Sequence, residues 1–100
     1  MRPRKQVRPV RFGFVYFISD GEFIKIGFAN NWVVRRRDLQ IANARKLIAL
    51  LVFEGGFRME AHLHSLFSAH RVLGEWFRPV PEIMAYIEEH KADGLPLEAE

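Results

Sequence analysis

Tyr16 and Lys25 each interrupt a short apolar run of the sequence with an ionisable group. The two runs, residues 14–18 and 23–27, flank Asp20-Gly21, a pair of residues typical of a hairpin turn. A strand normally fills such positions with β-branched and aromatic residues, so a tyrosine and a lysine set into paired strands need either a structural reason or a function. The alternative is structural, with the ring of Tyr16 in the core and the lysine stem extending to solvent.

The elements that follow the hairpin are predicted from capping residues and apolar spacing. Asn30 or Asn31 is suited to cap a helix that runs to about Ile41 or Ala42, because an asparagine side chain accepts from free amides at a helix start. The apolar run of residues 47–53, which is ended by two glycines, predicts a strand covered on both faces.

Two more helices are expected in the second half of the chain. One is predicted over residues 59–70 with a buried stripe, and the next begins at Pro81 with Glu82 in its first turn. The inward residues are predicted to be Met59, Leu63, Leu66 and Phe67 in the first helix and Ile83, Met84 and Ile87 in the second. The order β-β-α-β-α-α predicts an α+β domain with a small three-stranded antiparallel sheet flanked by helices.

Charge is distributed unevenly along the chain. Residues 1–87 hold 14 lysines and arginines against 7 acids, whereas residues 88–100 hold one lysine against five acids. We expect a basic flexible arm at 1–11, a single domain at 12–93 and an acidic tail at 94–100. The chain has no cysteine, which fits a reducing cytoplasm and excludes a cysteine-ligated zinc. It also lacks an apolar run long enough to span a membrane, so we expect a cytoplasmic protein.

Five short motifs occur in order between Phe12 and Phe77. They are Val15-Tyr16-Phe17, Lys25-Ile26-Gly27, an arginine on the following helix, a glutamate that opens a later helix, and Gly74-Glu75-Trp76-Phe77. Together they resemble the GIY-YIG endonuclease superfamily, and more narrowly its phage and microbial branch. In that branch the second motif is KIG and the core ends in GEWF.

The resemblance implies metal-assisted hydrolysis of DNA phosphodiester bonds. Tyr16 would orient or deprotonate the attacking water. Because its ordinary pKa is about 10, it would need a nearby cation to act as a base near neutral pH, and Lys25 is the candidate cation. Lys25 stands in place of the tyrosine that most relatives carry in the second motif. Counting from Gly27, Arg35 is the equivalent of the arginine that binds the scissile phosphate, and Arg36 fits the same helical stripe almost as well. Glu60 would hold Mg²⁺ or Mn²⁺ as the metal ligand, because these ions prefer carboxylate oxygen.

Other residues have auxiliary or alternative assignments. His64 lies one turn after Glu60 and is either catalytic or a structural hydrogen-bond partner; no third ligand at zinc-site spacing accompanies the pair. Glu75 is suited to an ion pair with Arg35 or Arg71. Cations expected to contact DNA, double-stranded or branched, are Arg36 and Arg37 on the helix and Arg4, Lys5 and Arg8 in the arm. Three consecutive arginines are also typical of a solvated helix face.

The chain departs from the superfamily pattern at several positions. Phe14 stands where the first motif has glycine, Leu39 stands four residues after Arg35 where many relatives have histidine or tyrosine, and the late asparagine of some members has no counterpart. The alternative to an endonuclease or nickase is therefore a catalytically inactive nucleic-acid-binding or regulatory module of the same fold. A protein-interaction domain is a third possibility, indicated by the acidic tail and the third helix.

Overall fold

The two motif strands form the centre of the sheet in the computed structural model, which describes residues 13–97. Strand β1 (Phe14–Ser19) pairs antiparallel with β2 (Ile24–Ala29), and Tyr16 lies opposite Gly27. The predicted turn is present: the amides of Glu22 and Phe23 donate to Asp20 Oδ1 at 2.9 and 2.7 Å. Gly21 adopts a φ of +98°, which an L side chain rarely tolerates.

Helix α1 (Trp32–Ile41) begins where the asparagine signal predicted. Asn31 is the capping residue, and its side chain accepts from the amide of Val34 at 3.1 Å. The chain then enters β3 (Ile48–Glu54), which pairs antiparallel with the other side of β1. Because α1 connects β2 to β3, the helix lies across one face of the sheet, and buried Trp32 packs there against Tyr16.

The prediction of three strands is wrong, whereas the α+β class is confirmed. Within residues 13–97, two further strands, β4 (Arg71–Leu73) and β5 (Trp76–Phe77), give a five-stranded antiparallel sheet in the order β3-β1-β2-β5-β4. They are joined by a tight turn in which Gly74 has a φ of +57°. Strands of three and two residues are too short to show a period-two pattern, so no separate signal for them is visible in the sequence.

The helices enclose the sheet from two sides. Helices α2 (Phe57–Leu66) and α3 (Pro81–His90) cover the face opposite α1, and each is followed by a short 3₁₀ turn, at Ser68–His70 and Lys91–Asp93. The main core on that face contains ten buried residues: Val15, Phe17, Ile24, Ile26, Leu51, Leu63, Phe67, Phe77, Ile83 and Ile87. A smaller cluster under α1 includes Tyr16, Ile18, Trp32 and Val52.

The buried stripes of α2 and α3 are narrower than predicted. Leu63 and Phe67 are buried as expected, but Met59 is 38% exposed and Leu66 55% exposed. On α3, Ile83 and Ile87 face inward and Met84 is 37% exposed. Helix α2 also starts two residues earlier than predicted and ends at Leu66, with a 3₁₀ turn over the last residues.

Residues at both ends of the chain lie outside the part that the structure describes. The predicted basic arm, with Arg4, Lys5 and Arg8, lies outside the described residues, as do residues 98–100. At the start of the predicted tail, the amide of Leu95 donates to the carbonyl of Val52 on β3 at 2.7 Å. No helix within residues 13–97 has both the length and the apolarity needed to cross a bilayer.

Candidate active site

The outer edge of β2 is where side chains from both helical layers meet. On the β2 side, strand β5 pairs with Ile24 and Lys25, and beyond them the carbonyls of Ile26 and Phe28 accept from side chains. His64 of α2 donates through Nε2 to the carbonyl of Ile26 at 2.7 Å, and Arg35 of α1 donates to the carbonyl of Phe28 at 3.1 Å. The short length of β5 thus leaves room for a site, which lies between α1 and α2 at this edge.

Tyr16 lies beside this edge with its hydroxyl directed at Arg35. The guanidinium donates to the phenol oxygen at 3.4 Å, and the ring of Trp32 packs on Tyr16 with 5.0 Å between ring centroids. Tyr16 is fully buried, and burial raises its pKa above the ordinary value, although the hydrogen bond and charge of Arg35 act in the opposite direction. Arg35, not Lys25, is therefore the cation at the phenol, and the tyrosine is protonated at neutral pH.

Lys25 makes an ion pair that the sequence did not specify. Its Nζ lies 3.0 Å from Glu75 Oε1 and 5.5 Å from the centre of the Trp76 ring. Since Lys25 is opposite Trp76 in the β2–β5 pairing, the strand register itself places Glu75 next to the lysine. The sequence indicates Arg35 or Arg71 as the ion-pair partner of Glu75, whereas in the structure the partner is Lys25. The position of β5 beside β2 determines this partner.

Burial and the neighbouring Glu75 together favour the protonated form of Glu60. Burial raises the pKa of Glu60 to about 7, with further contributions from a hydrogen bond to Glu75 and from its charge, while Lys25 and Arg35 oppose the shift. Burial also acts to raise the pKa of Glu75, but the hydrogen bond and charge of Lys25 outweigh it, so that pKa is lowered. Of the two carboxyl groups, Glu60 therefore keeps its proton to the higher pH.

The donor set at this point fits a hard divalent cation. Glu60, His64 and Glu75 each bring one potential ligand atom within 4.8 Å of the others. The His64 Nε2 that faces Glu60 at 3.9 Å already donates to the Ile26 carbonyl, so this nitrogen carries a proton and cannot ligate a metal. Two carboxylate oxygens remain, and carboxylate oxygen is the donor that Mg²⁺ and Mn²⁺ prefer.

The two predicted DNA-contacting arginines of α1 lie away from this cluster. Arg37 is on an exposed face of α1 and pairs with Asp38 at 3.7 Å, and Arg36 lines a groove on the flank of α1 that faces residues 44–47. Leu39, at the position where many relatives of the proposed family have a polar group, packs against the apolar cluster under α1. Of the predicted set, the structure brings together Tyr16, Lys25, Arg35, Glu60 and His64, and it adds Glu75.

A scan against models of protein families, a search of curated proteins and a search of solved structures each returned no match to this chain. The fold and the site define a small α+β domain in which a phenol, an ammonium, a guanidinium and two carboxylates gather at the free edge of a central strand.

Proposed function

We propose that this protein is a metal-dependent endonuclease or nickase of the GIY-YIG type that hydrolyses DNA phosphodiester bonds. The observation that carries the proposal is the gathering of side chains from four separate elements at the edge of β2. Tyr16 contacts Arg35, and Lys25 contacts Glu75, which brings a carboxylate oxygen within 4.8 Å of one from Glu60. A buried phenol and two acids placed among cations have no structural need for one another, and perturbed groups of this kind concentrate at functional sites.

Each side chain has a role that its surroundings support. Arg35 uses one nitrogen for Tyr16 and Phe28, and its fork has further N–H donors for the oxygens of a phosphate. Glu60 and Glu75 would hold the divalent ion. When bound, the ion supplies Lewis-acid stabilisation of phosphate charge and a more acidic water.

Proton positions follow from the pKa shifts. The phenol of Tyr16 keeps its proton at neutral pH, so in the free protein it is suited to orient a water by hydrogen bonding and not to deprotonate it. Glu60 must lose its proton before its carboxylate can serve as a ligand. Lys25 supports this loss, because its ammonium lies against Glu75 and lowers the cost of two adjacent carboxylates.

His64 is a positioning residue in this proposal. Its donated hydrogen bond to the Ile26 carbonyl ties α2, which carries Glu60, to the edge of β2. Its ring also meets Phe77 edge-on, with 5.2 Å between centroids, so the imidazole is held by the core on one side. A side chain fixed in this way can keep Glu60 at a constant distance from Glu75.

The test is a nicking assay on supercoiled plasmid with Mg²⁺ or Mn²⁺. We expect the wild-type protein to cut and Glu60→Gln and Arg35→Ala to lose cutting, with Glu54→Gln and Arg78→Ala as exposed controls that keep it. Loss of a group that stabilises the transition state typically costs a factor of about a hundred or more. Equal cutting by the two site variants and wild type, or metal-independent cutting, would contradict the proposal.

A catalytically inactive nucleic-acid-binding module is the second candidate. Leu39 favours it, because an aliphatic side chain packed on the core occupies the position where many members of the proposed family have a polar group. This candidate predicts binding that weakens with salt and does not require metal. Purified protein that shifts DNA in a chelating buffer yet leaves plasmid intact under all metal conditions would favour it over the nuclease.

A further inference from the structure

A groove lies away from the site, on the flank of α1 that faces residues 44–47. It has a volume of about 660 Å³, and its lining includes Val33, Arg36, Arg37, Gln40, Ile41 and Lys46. The α1 residues among these recur at spacings of three and four, so they form one stripe of the helix. Trp32, Arg35 and Leu39 form a separate stripe, directed at the sheet and the site.

The lining of the groove is cationic. Among residues 13–97 its lining holds Arg36, Arg37 and Lys46 and no acidic side chain, and Asp38, just outside the groove, lies 3.7 Å from Arg37. Val33 and Ile41 add aliphatic walls and are 76% and 77% exposed. Three cations beside aliphatic surface match a ligand in which anionic groups alternate with less polar segments.

The segment that carries Lys46 is held in place by side-chain hydrogen bonds. Gln40 donates to the carbonyl of Arg45 at 3.0 Å and accepts from the amide of Leu47 at 2.8 Å. Arg45 is fixed from the other side by Glu22 of the β1–β2 turn, at 3.2 Å. The backbone on both sides of Lys46 is thus tied down, so the lysine faces the arginine stripe without an ordering cost to its backbone on binding.

We propose that this groove binds the sugar-phosphate backbone of DNA as a second contact region, separate from the scissile phosphate. The inference rests on the proposed function for the identity of the ligand. Backbone phosphates alternate with sugars, which fits cations interleaved with Val33 and Ile41, and phosphate contacts position a protein on DNA without reading its sequence. The groove and Arg35 lie on different flanks of one helix about 10 Å across, so one strand that crosses α1 reaches both.

The experiment measures binding of a short fluorescein-labelled DNA duplex by anisotropy in chelating buffer over a salt series. The double variant Arg37→Gln/Lys46→Gln should bind about tenfold more weakly. Its plot of log K against log salt should also be less steep, with the magnitude of the slope reduced by about 2, because two phosphate contacts are lost. The matched control Arg78→Gln/Lys91→Gln removes two exposed cations at other places and should leave affinity and slope unchanged. Circular dichroism confirms that both variants fold.

The outcomes separate this inference from the nuclease proposal. Weaker binding in the groove variant alone supports the groove, whether or not the protein cuts DNA. If the protein cuts DNA and the groove variant binds the duplex with unchanged affinity, the groove proposal is wrong and the nuclease proposal stands. Failure of the wild-type protein to bind the duplex at low salt overturns the groove proposal too. So does a result in which the groove substitutions weaken binding of an acidic polyglutamate probe but not of DNA.

Discussion

The phenol of Tyr16 occupies the space in which a side chain at Gly27 would stand. The two residues face each other in the β1–β2 pairing, and a Cβ built on Gly27 would lie 2.5 Å from both Oη and Cζ of the tyrosine. The hydroxyl can therefore reach Arg35 only because position 27 lacks a side chain. The glycine of the Lys25-Ile26-Gly27 motif thus has a physical reason in this protein, which is to admit the ring of the first motif.

Gly27→Ala should displace the ring of Tyr16 and destabilise the fold. Inserting a methyl group into a packed space costs about 1 to 3 kcal/mol, and the buried ring cannot move aside freely. The measurement is urea denaturation of Gly27→Ala in the wild-type background and in a Tyr16→Val background. In the second background the smaller side chain removes the clash, so the cost of the alanine should fall strongly. The same cost in both backgrounds would show that the ring is not the obstacle.

The sequence predicted the elements with a clear repeat and missed relationships that depend on long-range pairing. The hairpin at Asp20-Gly21 and the cap at Asn31 follow from local chemistry, and both are present. Strand β5 is two residues long, so no local sequence pattern predicts it. Its pairing with β2 nevertheless places Glu75 in contact with Lys25. The exposed Met59 was also unpredictable locally, because the width of a buried stripe depends on how the helix rests on its sheet.

The choice between neighbouring arginines shows the same limit. Both Arg35 and Arg36 lie three or four residues from Trp32 and Leu39, so spacing fits either one, although a step of one residue turns a side chain by about 100°. In the structure the guanidinium of Arg35 reaches Tyr16 and the carbonyl of Phe28, whereas Arg36 lines the groove. The carbonyl of Phe28 at the β2 edge accepts from Arg35 and so distinguishes it from Arg36. No sequence pattern indicates this hydrogen bond.

Glu60→Gln should stabilise the metal-free protein at alkaline pH. The folded-state pKa of Glu60, about 7, is raised above its ordinary value of 4.5. A raised pKa gives stability that is present below the unfolded-state pKa and is lost as pH rises through the folded-state value. At about pH 8 the wild-type protein carries a destabilising charge that glutamine lacks, worth about 1 kcal/mol after solvent screening.

Urea denaturation in chelating buffer at about pH 5 and about pH 8 measures this effect. The two proteins should be close in stability at the lower pH, and the variant should be more stable at the higher one. Glu54→Gln, at an exposed position at the end of β3, is the control. A variant less stable than wild type at the higher pH would show that the carboxylate of Glu60 contributes to the fold.

Divalent metal should stabilise the wild-type protein in a pH-dependent way. Because Glu60 must lose its proton to act as a ligand, the rise in Tm caused by Mg²⁺ or Mn²⁺ should be larger at about pH 8 than at about pH 6. Saturation at about a hundred times Kd adds about 2.7 kcal/mol of stability. Thermal unfolding of wild type, Glu60→Gln and Glu75→Gln tests this expectation. Equal shifts in all three proteins would exclude the two carboxylates as ligands.

The Lys25–Glu75 pair should show coupling in a double-mutant cycle. Lys25→Met leaves Glu75 and Glu60 without the ammonium that offsets their repulsion, whereas Glu75→Gln removes one of the repelling charges. The double variant should therefore be more stable than the sum of the single changes predicts, by about 1 kcal/mol for this partly exposed pair. Urea denaturation of the four proteins at about pH 8 gives the coupling energy. Additive effects would mean that the 3.0 Å contact contributes nothing in solution.

Arg35→Ala should raise the pKa of Tyr16 further. Burial already places that pKa above its ordinary value, and the hydrogen bond and charge of Arg35 hold it down in part, so removing the guanidinium leaves burial unopposed. The chain has two tyrosines, and burial raises the pKa of Tyr86 as well. A Tyr86→Phe background keeps that ring and makes Tyr16 the sole reporter in an ultraviolet titration. Arg35→Lys should restore part of the effect, and Arg37→Ala, two residues along the same helix, should leave the titration unchanged. A pKa that stays constant in Arg35→Ala would separate the arginine from the phenol and leave Tyr16 as a core residue.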